Sequence, residues 1–422
     1  MKEELLHLVW KLKRFNLHNL LTTFGDVINI VNFGVHNHDA GPDFLNATVK
    51  IGNQTWVGHV EMHTSASEWI SHKHQFDPAY NSVILHVVYE NNAIVKTQSG
   101  QTMPTLILKD RIEESLITDY QRLLLNPDWV PCANLIHKAN AFKVNMFLER
   151  LLIERLESKC HPILNYLKAS KNDWEYVCYK MILKYFGLKV NGDAFEALSE
   201  KLPHSLLIKY HTQKVQSEAI LMGQAGLLHK TPDKYTLKLK KEYEFMQKKH
   251  NLQPMTGVEW RFARMRPSNF PTLRIVQVAA LYHKTPKIFN QLISQPSIKK
   301  FKEILAVTLS EYWNKHYIPG RPSKPKVKNL GAQATRLIII NAFIPLIFTY
   351  GMTKGDQKYK DIAVNLYRQL PKEKNVIIDN WKNLGINAVS AAETQALIQL
   401  KMQYCNLHKC LNCHIGQDIL FK

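Results

Sequence analysis

The chain has 422 residues, which is too long for one ordinary hydrophobic core and fits two or three domains of roughly 100–200 residues each. Apolar residues make up 45% and charged residues 21%, and this composition excludes a disordered or fibrous chain. The 55 Lys and Arg outnumber the 35 Asp and Glu, giving a formal net charge of +20, so we expect an anionic partner. Nucleic acid is the main candidate, because a basic surface that neutralises phosphates releases their counterions. Surplus lysines that only keep the protein soluble are the alternative.

The sequence predicts a cytoplasmic protein that does not contact a membrane. Residues 1–21 lack the uninterrupted apolar run and the small-residue cleavage site of a signal peptide. The most apolar window, residues 337–350, is shorter than the ~20 residues needed to span a bilayer and contains Pro345, so we expect a buried core helix. Six cysteines in a chain of this length do not form a disulfide framework, which favours a reducing compartment. The oligomeric state stays open.

In chain order, helical spacing over residues 2–14 is followed by five strand patterns. A tight turn at 52–54 joins the second and third strands, and a short helix or loop separates the third from the fourth. After residue 112 the spacing of Leu, Ile, Met and Phe is helical. The predicted strands cover residues 25–34, 44–52, 55–63, 81–90 and 102–110. The predicted class is therefore α+β, with an α/β domain (1–112), a larger mostly helical domain that can contain two subdomains (113–400), and a cysteine-containing tail (401–422).

Two acidic residues stand out in the predicted hairpin. Alternation along the third strand places Glu61 and His63 on one polar face, and Asp43 precedes the partner strand, where it can approach Glu61. Two close carboxylates repel and raise one another's pKa unless a cation neutralises them. Oxygen ligands suit Mg²⁺ or Mn²⁺, and such an ion can activate a water and stabilise charge on a phosphoryl oxygen. The alternative is a turn residue after Pro42 and a solvated strand face.

The order helix, three strands, helix, strand, with Pro42 and Asp43 before the second strand and Glu61 ending the third, resembles the PD-(D/E)xK nuclease superfamily. The resemblance covers only the predicted α/β domain and implies a restriction-endonuclease-like fold. It also implies that Asp43 and Glu61 bind the metal. His63 stands where that superfamily usually has lysine, and a histidine can orient or deprotonate the attacking water. The same departure can mark a degenerate site that binds nucleic acid without cutting it.

The chain as a whole is similar to a bacterial protein family known only as a domain of unknown function. The stretches that carry this resemblance are GPDF, GHVEMHTSASEWISHKH, AYNSVILHVV, RMRPSNFPTLRI and CLNCHIG. The resemblance implies no function, but it implies that both halves of the chain belong to one architectural unit.

Further polar residues lie close in sequence to the acidic pair. The segment after the third strand is where the resembled fold commonly places auxiliary active-site residues, and the loop before Asp43 adds another polar group. An exposed polar helix is the alternative for the residues of that segment. His86 lies in an apolar strand, so we expect a core histidine satisfied by a hydrogen bond. The auxiliary candidates are Asn37, His72, His74, Asp77 and Tyr80.

Half of the cysteines lie near the C-terminus in C-x4-C-x2-C order, as Cys405, Cys410 and Cys413. This spacing suits a soft metal, either zinc or an iron–sulfur cluster, and four protein ligands are normally needed. The fourth ligand can be His408 or His414, which favours zinc, or Cys132 in a predicted loop. Some nucleases of the resembled superfamily close an iron–sulfur cluster with one upstream and three C-terminal cysteines. Unligated reduced thiols are the alternative.

Residues 259–274 concentrate arginines among aromatic side chains. This combination suits phosphate contact with base stacking. Arginines that cap helix ends, with aromatics filling an interface, are the alternative. A second basic stretch, residues 321–329, contains no acid and is expected to form an exposed linker or basic loop. The predicted nucleic-acid contacts are Arg261, Arg264, Arg266 and Arg274.

Three functions remain open on the sequence alone. The leading one is a metal-dependent nuclease, a Mg²⁺- or Mn²⁺-dependent phosphodiesterase. The second is a non-catalytic nucleic-acid-binding or assembly protein with a degenerate nuclease fold. The third is a metal-dependent hydrolase of another substrate, which the many histidines between His36 and His86 suggest. The sequence does not distinguish DNA from RNA.

Overall fold

Strands and helices follow the predicted order in the computed structural model, which describes residues 2–256 and 260–421. The fold is α+β. The described chain divides into two compact units, residues 2–147 with 400–421 and residues 148–399. The sheet lies in the first unit, and the second unit is mainly helical. The division into domains at residues 112 and 400 stays a prediction.

The three longest strands of the first unit are neighbours in its sheet, and shorter strands lie on either side of them. The first-unit strands are β1 Leu20–Leu21, β2 Val27–Asn32, β3 Val35–His36, β4 Phe44–Ile51, β5 Gln54–Ser65, β6 Val83–Glu90 and β7 Thr105–Ile107. In the second unit a small ribbon is formed by β8 His316–Ile318 and β9 Arg321–Pro322.

Most of the described helices lie after residue 141. They are α1 Glu3–Lys11, α2 Glu68–Ser71, α3 Glu114–Leu125, α4 Ala141–Ala169, α5 Trp174–Phe186, α6 Leu188–Lys201, α7 His204–Lys209, α8 Lys214–Gln224, α9 Lys234–His250, α10 Pro271–Lys284, α11 Ile288–Ser294, α12 Ile298–Leu305, α13 Glu311–Asn314, α14 Ala332–Ile338, α15 Ile344–Lys354, α16 Gln357–Gln369, α17 Val376–Asn383, α18 Ala391–Gln399 and α19 His414–Leu420.

The sheet has the order β1-β2-β4-β5-β6-β7, and β3 pairs with β4 beside this path. Strands β2, β4 and β5 form an antiparallel meander, whereas β6 runs parallel to β5 and β7 parallel to β6. The β4–β5 hairpin turns at Gly52, whose φ of +56 is a backbone conformation that glycine adopts without strain. Helix α2 lies in the crossover between β5 and β6, which places this connection at one end of β5.

Helix α1 contacts β5 through one apolar face. Its residues Leu5, Leu6, Val9 and Trp10 are buried, and Trp10 Nε1 donates a hydrogen bond to the Phe33 carbonyl over 3.0 Å. Burying a side chain of this size contributes about 1.5–3 kcal/mol. This packing fixes the helix against the sheet and brings its polar N-terminal residues toward β5.

The C-terminal half of strand β5 is mostly buried. Val60 and Met62 are fully buried, as the apolar face predicts, but Glu61 and His63 on the other face are also buried, with 5% and 1% of their surfaces exposed. The solvated strand face considered from the sequence is therefore wrong. One reason is that the segment after α2 contacts this face: His74 Nε2 lies 3.4 Å from Glu61 Oε1, and the ring of His74 stacks on that of His63.

In the second unit, α14 and α15 join through a π-helical segment, residues 339–343, into one helix. Among the described residues this is the one helix long and apolar enough to cross a membrane by length and composition, Ala332–Lys354, and 67% of its most apolar window is buried. Pro345 lacks an N–H and lies just after the π segment. The Ile340 carbonyl accepts a hydrogen bond from Tyr367 Oη over 2.7 Å. The burial agrees with the core helix predicted here.

Most of the basic stretch 321–329 is exposed and lies outside helices and strands, as predicted, but two parts of it differ from a plain loop. Arg321 and Pro322 form β9, and Lys328 is buried, with 5% of its surface exposed. Its ammonium donates to the carbonyls of Trp313 and Asn314, so local hydrogen bonds hold a cation inside the unit. A charge count along the sequence carries no information about such contacts.

Candidate metal centre

Asp43 and Glu61 lie side by side in the first unit. The backbone N–H of Met62 donates to Asp43 Oδ2 over 2.9 Å, and the backbone N–H of Asp43 donates to Glu61 Oε2 over 3.2 Å. The antiparallel register explains this contact, because Phe44 lies opposite Val60. The hairpin therefore brings together the two carboxylates that the sequence singled out.

Imidazole rings face the other oxygen of Glu61. Glu61 Oε1 lies 3.5 Å from His63 Nε2 and 3.4 Å from His74 Nε2. In the part of the chain that the structure describes, His74 Nε2 is buried and has no hydrogen-bond partner. His72 joins this group, since His63, His72 and His74 each place a ring nitrogen within 4.8 Å of the others. One carboxylate and three imidazoles thus converge from β5 and the segment that follows α2.

The segment after α2 turns sharply to present two of these rings. Lys73 has φ +62, in the left-handed region, between exposed His72 and buried His74. The ring of His74 stacks on Tyr80 at 3.7 Å between centroids and meets Trp69 edge-on at 5.4 Å. These aromatic contacts fix the orientation of His74 toward Glu61.

A second group of donors comes from α1, and the sequence analysis missed it. His7 Nε2 lies 3.3 Å from Asp43 Oδ2 and 3.7 Å from Glu3 Oε1, and the three residues hold their donor atoms within 4.8 Å of one another. Within the described residues, His7 Nε2 is buried without a hydrogen-bond partner. The sequence feature that could have identified these donors is the i, i+4 spacing of Glu3 and His7 on a helix whose neighbouring face is apolar.

His86 supports the site from the adjacent strand. It is fully buried on β6, and its Nε2 lies 2.8 Å from His63 Nδ1. The prediction of a core histidine with a hydrogen bond is confirmed, but that bond reaches the candidate site rather than the backbone. If His63 Nδ1 carries the proton and donates to His86, the His63 Nε2 lone pair is free toward Glu61.

Burial controls the charges in this cluster. It raises the pKa of the Glu61 carboxyl well above its usual range, and the nearby carboxylate of Asp43 adds to the shift. Burial also lowers the pKa of His63 and of His86 to about 3. The imidazole of His63 is therefore neutral near pH 7, which is the form that ligates a metal.

The remaining auxiliary candidates surround the cluster in different roles. The backbone N–H of Asn37 donates to the Asp43 carbonyl over 2.7 Å, and its side-chain amide donates to the Pro42 carbonyl over 3.0 Å, so Asn37 braces the loop that holds Asp43. Tyr80 packs on His74 as described above. Asp77 Oδ1 instead accepts from the Ala79 N–H over 2.9 Å and caps the short turn that follows it. Its contact is local to that turn.

The arrangement suits a divalent cation. Buried imidazole nitrogens and carboxylate oxygens face one another at 3.3–3.4 Å in the pairs His7–Asp43 and His74–Glu61, without the geometry of a hydrogen bond. An ion between such atoms would satisfy the nitrogen lone pairs and neutralise the adjacent acids. Mixed nitrogen and oxygen donors fit Mn²⁺ or Zn²⁺ better than Mg²⁺, which prefers oxygen ligands and retained waters.

The four candidate cysteine ligands meet in the first unit. Each thiol lies within electrostatic range of the other three, although Cys132 is far in sequence from the C-terminal three. The backbone N–H groups of Ile415 and Gly416 donate to Cys413 Sγ. A Cβ added at Gly416 would lie 2.3 Å from the Cys410 carbonyl oxygen, so only glycine permits this close approach. All four residues are free and buried: Cys132, Cys405, Cys410 and Cys413.

The predicted arginine cluster divides into two kinds of residue. Arg261, Arg264 and Arg266 are exposed, whereas Arg274 is buried on α10 with 3% of its surface exposed. Arg266 and Arg274 line the same pocket of the second unit, which Arg261 and Arg264 do not line. Arg274 therefore does not share the exposed surface of the other three arginines, because helix packing turns its side chain inward, and the nucleic-acid contacts stay a prediction.

Comparison with known proteins gives a family but no activity. A search of curated proteins found no match, and a search of solved structures found none. The family described as protein of unknown function (DUF2851) matches residues 3–376, which is nearly the whole chain. On this match, the protein belongs to the DUF2851 family.

Proposed function

We propose that this protein is a metal-dependent nuclease that hydrolyses phosphodiester bonds in nucleic acid. The observation that carries the proposal is the pair of half-buried Asp43 and buried Glu61, faced by imidazole nitrogens of His7 and His74 that have no hydrogen-bond partner among the described residues. A site of this composition holds a divalent cation more readily than it holds two unpaired acids. When bound, such an ion activates a water and stabilises the charge that develops on a phosphoryl oxygen.

The donors divide into two sets around the acidic pair. Glu61, His63 and His74 form one set, with His72 as a further donor, and Asp43, His7 and Glu3 form the other. We assign Mn²⁺ rather than Mg²⁺ as the ion, because imidazoles supply much of the donor set. Each set contains one of the two acids, so the two sets would hold two ions, which would stabilise charge on the oxygens of a phosphodiester.

His63 is assigned as a ligand rather than as the general base. Its ring is 1% exposed, its Nδ1 is occupied by His86, and its Nε2 faces Glu61. A general base must reach the proton of the attacking water. The position that usually holds lysine in the resembled superfamily thus contributes to metal binding in this chain.

The proposal extends to the fold of the first unit, which we assign to the restriction-endonuclease-like class. Helix α1, the antiparallel β2–β4–β5 meander, α2 in the crossover and the parallel strand β6 support this assignment. Within that meander, Asp43 immediately precedes β4 and Glu61 lies in β5. The net charge of +20 supports nucleic acid as the substrate, because phosphate contacts reward a basic surface.

We further assign the four buried cysteines to a second, structural metal centre that binds zinc or an iron–sulfur cluster. Four thiols from two distant parts of the chain supply the ligand number that either centre needs. Backbone N–H donors to Cys413 Sγ are the kind of contact that stabilises a bound thiolate. The centre would fasten the C-terminal segment to the rest of the first unit.

Two other functions would give different experimental results from a nuclease. The triad His63, His72 and His74 favours zinc and hence a hydrolase of another substrate, which would show zinc in the first unit and no cleavage of nucleic acid. A non-catalytic nucleic-acid-binding or assembly protein would bind nucleic acid in a salt-dependent manner and would not cleave it with any divalent ion.

The test is cleavage of labelled single- and double-stranded DNA and RNA with Mn²⁺, with Mg²⁺ and with EDTA. We expect Mn²⁺-dependent cleavage by the wild type, and a loss on the order of 100-fold in Asp43→Asn and Glu61→Gln. Glu90→Gln is the matched control, since Glu90 is on the same sheet but pairs with Lys109 at the surface. Cleavage that survives both site variants would reject this site, and binding without turnover would favour the non-catalytic alternative.

A further inference from the structure

A pocket of about 480 Å³ lies in the second unit, outside the candidate metal centre. Its walls come from the segment before and within α10, from Tyr317 of β8, and from the residues that lead into α14. The described residues that line it include no Asp or Glu. Four of them are cations: Arg266, Arg274, Lys326 and Lys328.

The two buried cations have only neutral partners. Arg274 donates through Nη1 to Gln277 Oε1 over 3.1 Å and through Nη2 to Asn269 Oδ1 over 2.6 Å, and its Nε is buried without a partner. Lys328 Nζ donates to two carbonyls and to Ser323 Oγ. Neither residue forms an ion pair with any described residue. Two buried positive charges without a counter-charge are costly, and a bound anion would offset that cost.

The positive end of a long helix opens into the same pocket. Gly331 is the N-cap of α14, it has no side chain to cap the helix, and it lines the pocket together with Ala332, Gln333 and Ala334. The helix continues through α15 over 23 residues. Unpaired N–H groups and the helix dipole at such a terminus attract anions. A Cβ added at Gly331 would meet nothing within 4 Å, so there is open space in front of these groups.

We propose that this pocket binds the phosphate group of a nucleotide, either free or at the end of a polynucleotide. The bare helix N-terminus, the unpartnered Arg274 Nε and the surplus of cations match a phosphate group in charge and hydrogen bonding. The pocket is larger than a phosphate and falls in the range of small-molecule sites, roughly 300–1,000 Å³, so the ligand carries more than its phosphate. This proposal does not depend on the metal centre or on cleavage.

Isothermal titration calorimetry in EDTA tests the proposal with four probes: AMP, adenosine, and a short oligonucleotide with either a 5′-phosphate or a 5′-hydroxyl. We expect AMP to bind and adenosine not to bind. Preference for the phosphorylated oligonucleotide over AMP would assign the polynucleotide end as the source, and the reverse would assign the free nucleotide. Equal binding of AMP and adenosine, or no binding of AMP and of the phosphorylated oligonucleotide, would overturn the proposal.

Gly331→Asp is the most informative variant. Asp is a preferred N-cap, and the backbone at Gly331, with φ −67 and ψ 150, accommodates it, so the variant is expected to fold with unchanged or higher thermal stability. Its carboxylate would pair with the N–H groups and repel phosphate, and we expect at least roughly a tenfold loss of AMP affinity. Arg266→Ala should weaken binding as well, whereas Arg261→Ala should not, because Arg261 does not line the pocket. Wild-type affinity in Gly331→Asp would contradict the assignment.

Discussion

Glu61 Oε2 accepts a hydrogen bond from the backbone N–H of Asp43 over 3.2 Å, which fixes buried Glu61 beside half-buried Asp43 in the first unit. Glu61 is only 5% exposed, so a second negative charge at this place is costly unless a proton or a metal ion accompanies it. Folding stability and cation binding are therefore linked through this pair.

Glu61→Gln should stabilise the metal-free protein at neutral pH while abolishing its response to Mn²⁺. The raised pKa means that the folded state keeps the Glu61 proton when the unfolded chain, with its ordinary pKa of 4.5, has lost it. The metal-free wild type therefore loses stability as pH rises above 4.5, and the variant, which cannot ionise, should show a flatter profile. Thermal melts in EDTA from pH 5 to 8 measure this slope.

The same melts with Mn²⁺ complete the test. The wild type should gain about 2.7 kcal/mol at an ion concentration 100 times the dissociation constant, whereas Glu61→Gln should gain none. Glu90→Gln, at an exposed ion pair with Lys109, should behave as the wild type in both conditions. A variant that is less stable in EDTA yet still responds to Mn²⁺ would show that Glu61 is not a ligand.

His86→Phe should weaken Mn²⁺ binding in the folded variant. His86 positions His63 through the 2.8 Å contact to Nδ1, and its own Nδ1 has no partner among the described residues. Phenylalanine fills the buried position and removes that unpartnered atom. Loss of the hydrogen-bond partner of a metal-ligating histidine lowers metal affinity roughly 10- to 100-fold. Unchanged affinity by calorimetry would leave His86 as a core residue with no role in the site.

Cys132→Ser should remove the metal of the cysteine centre. Elemental analysis of protein purified without oxygen should find zinc or iron in the wild type, with visible absorption accompanying iron, and a loss of that metal in the variant. Cys160→Ser is the control, because Cys160 is a buried thiol in helix α4 that donates to the Leu156 carbonyl. Wild-type protein with neither metal, or Cys132→Ser with full metal content, would contradict the four-thiol centre.

His204→Phe should reduce the sensitivity of the second unit to acid. Burial lowers the pKa of His204 to about 4, so below its ordinary pKa of 6.5 the unfolded chain takes up a proton that the folded protein does not. Stability is therefore retained above pH 6.5 and lost as pH falls toward 4, by about 1 kcal/mol at pH 5.5. The ring stacks on Tyr179, which phenylalanine preserves. Urea denaturation at pH 7.5 and 5.5 measures the difference, and an equal loss in both proteins would refute it.

The hairpin and its acids could be predicted because the sequence encodes them locally. Alternation marks β5, and Pro42 with Asp43 marks the start of β4, so the approach of Asp43 to Glu61 follows from register alone. His7 and Glu3 could not be assigned, because their contribution depends on how α1 packs across the sheet. The inward position of Arg274 depends in the same way on helix packing. Contacts between distant segments also explain why a polar face of β5 is buried.

The central claim is that the carboxylates and imidazoles of the first unit share a divalent cation. Diffraction at the manganese absorption edge, from crystals grown with Mn²⁺, tests it most directly. We expect an anomalous peak within bonding distance of Glu61, His63 and His74, with any second peak beside Asp43 and His7. The absence of a peak among these residues, with Mn²⁺ bound elsewhere or nowhere, would contradict it.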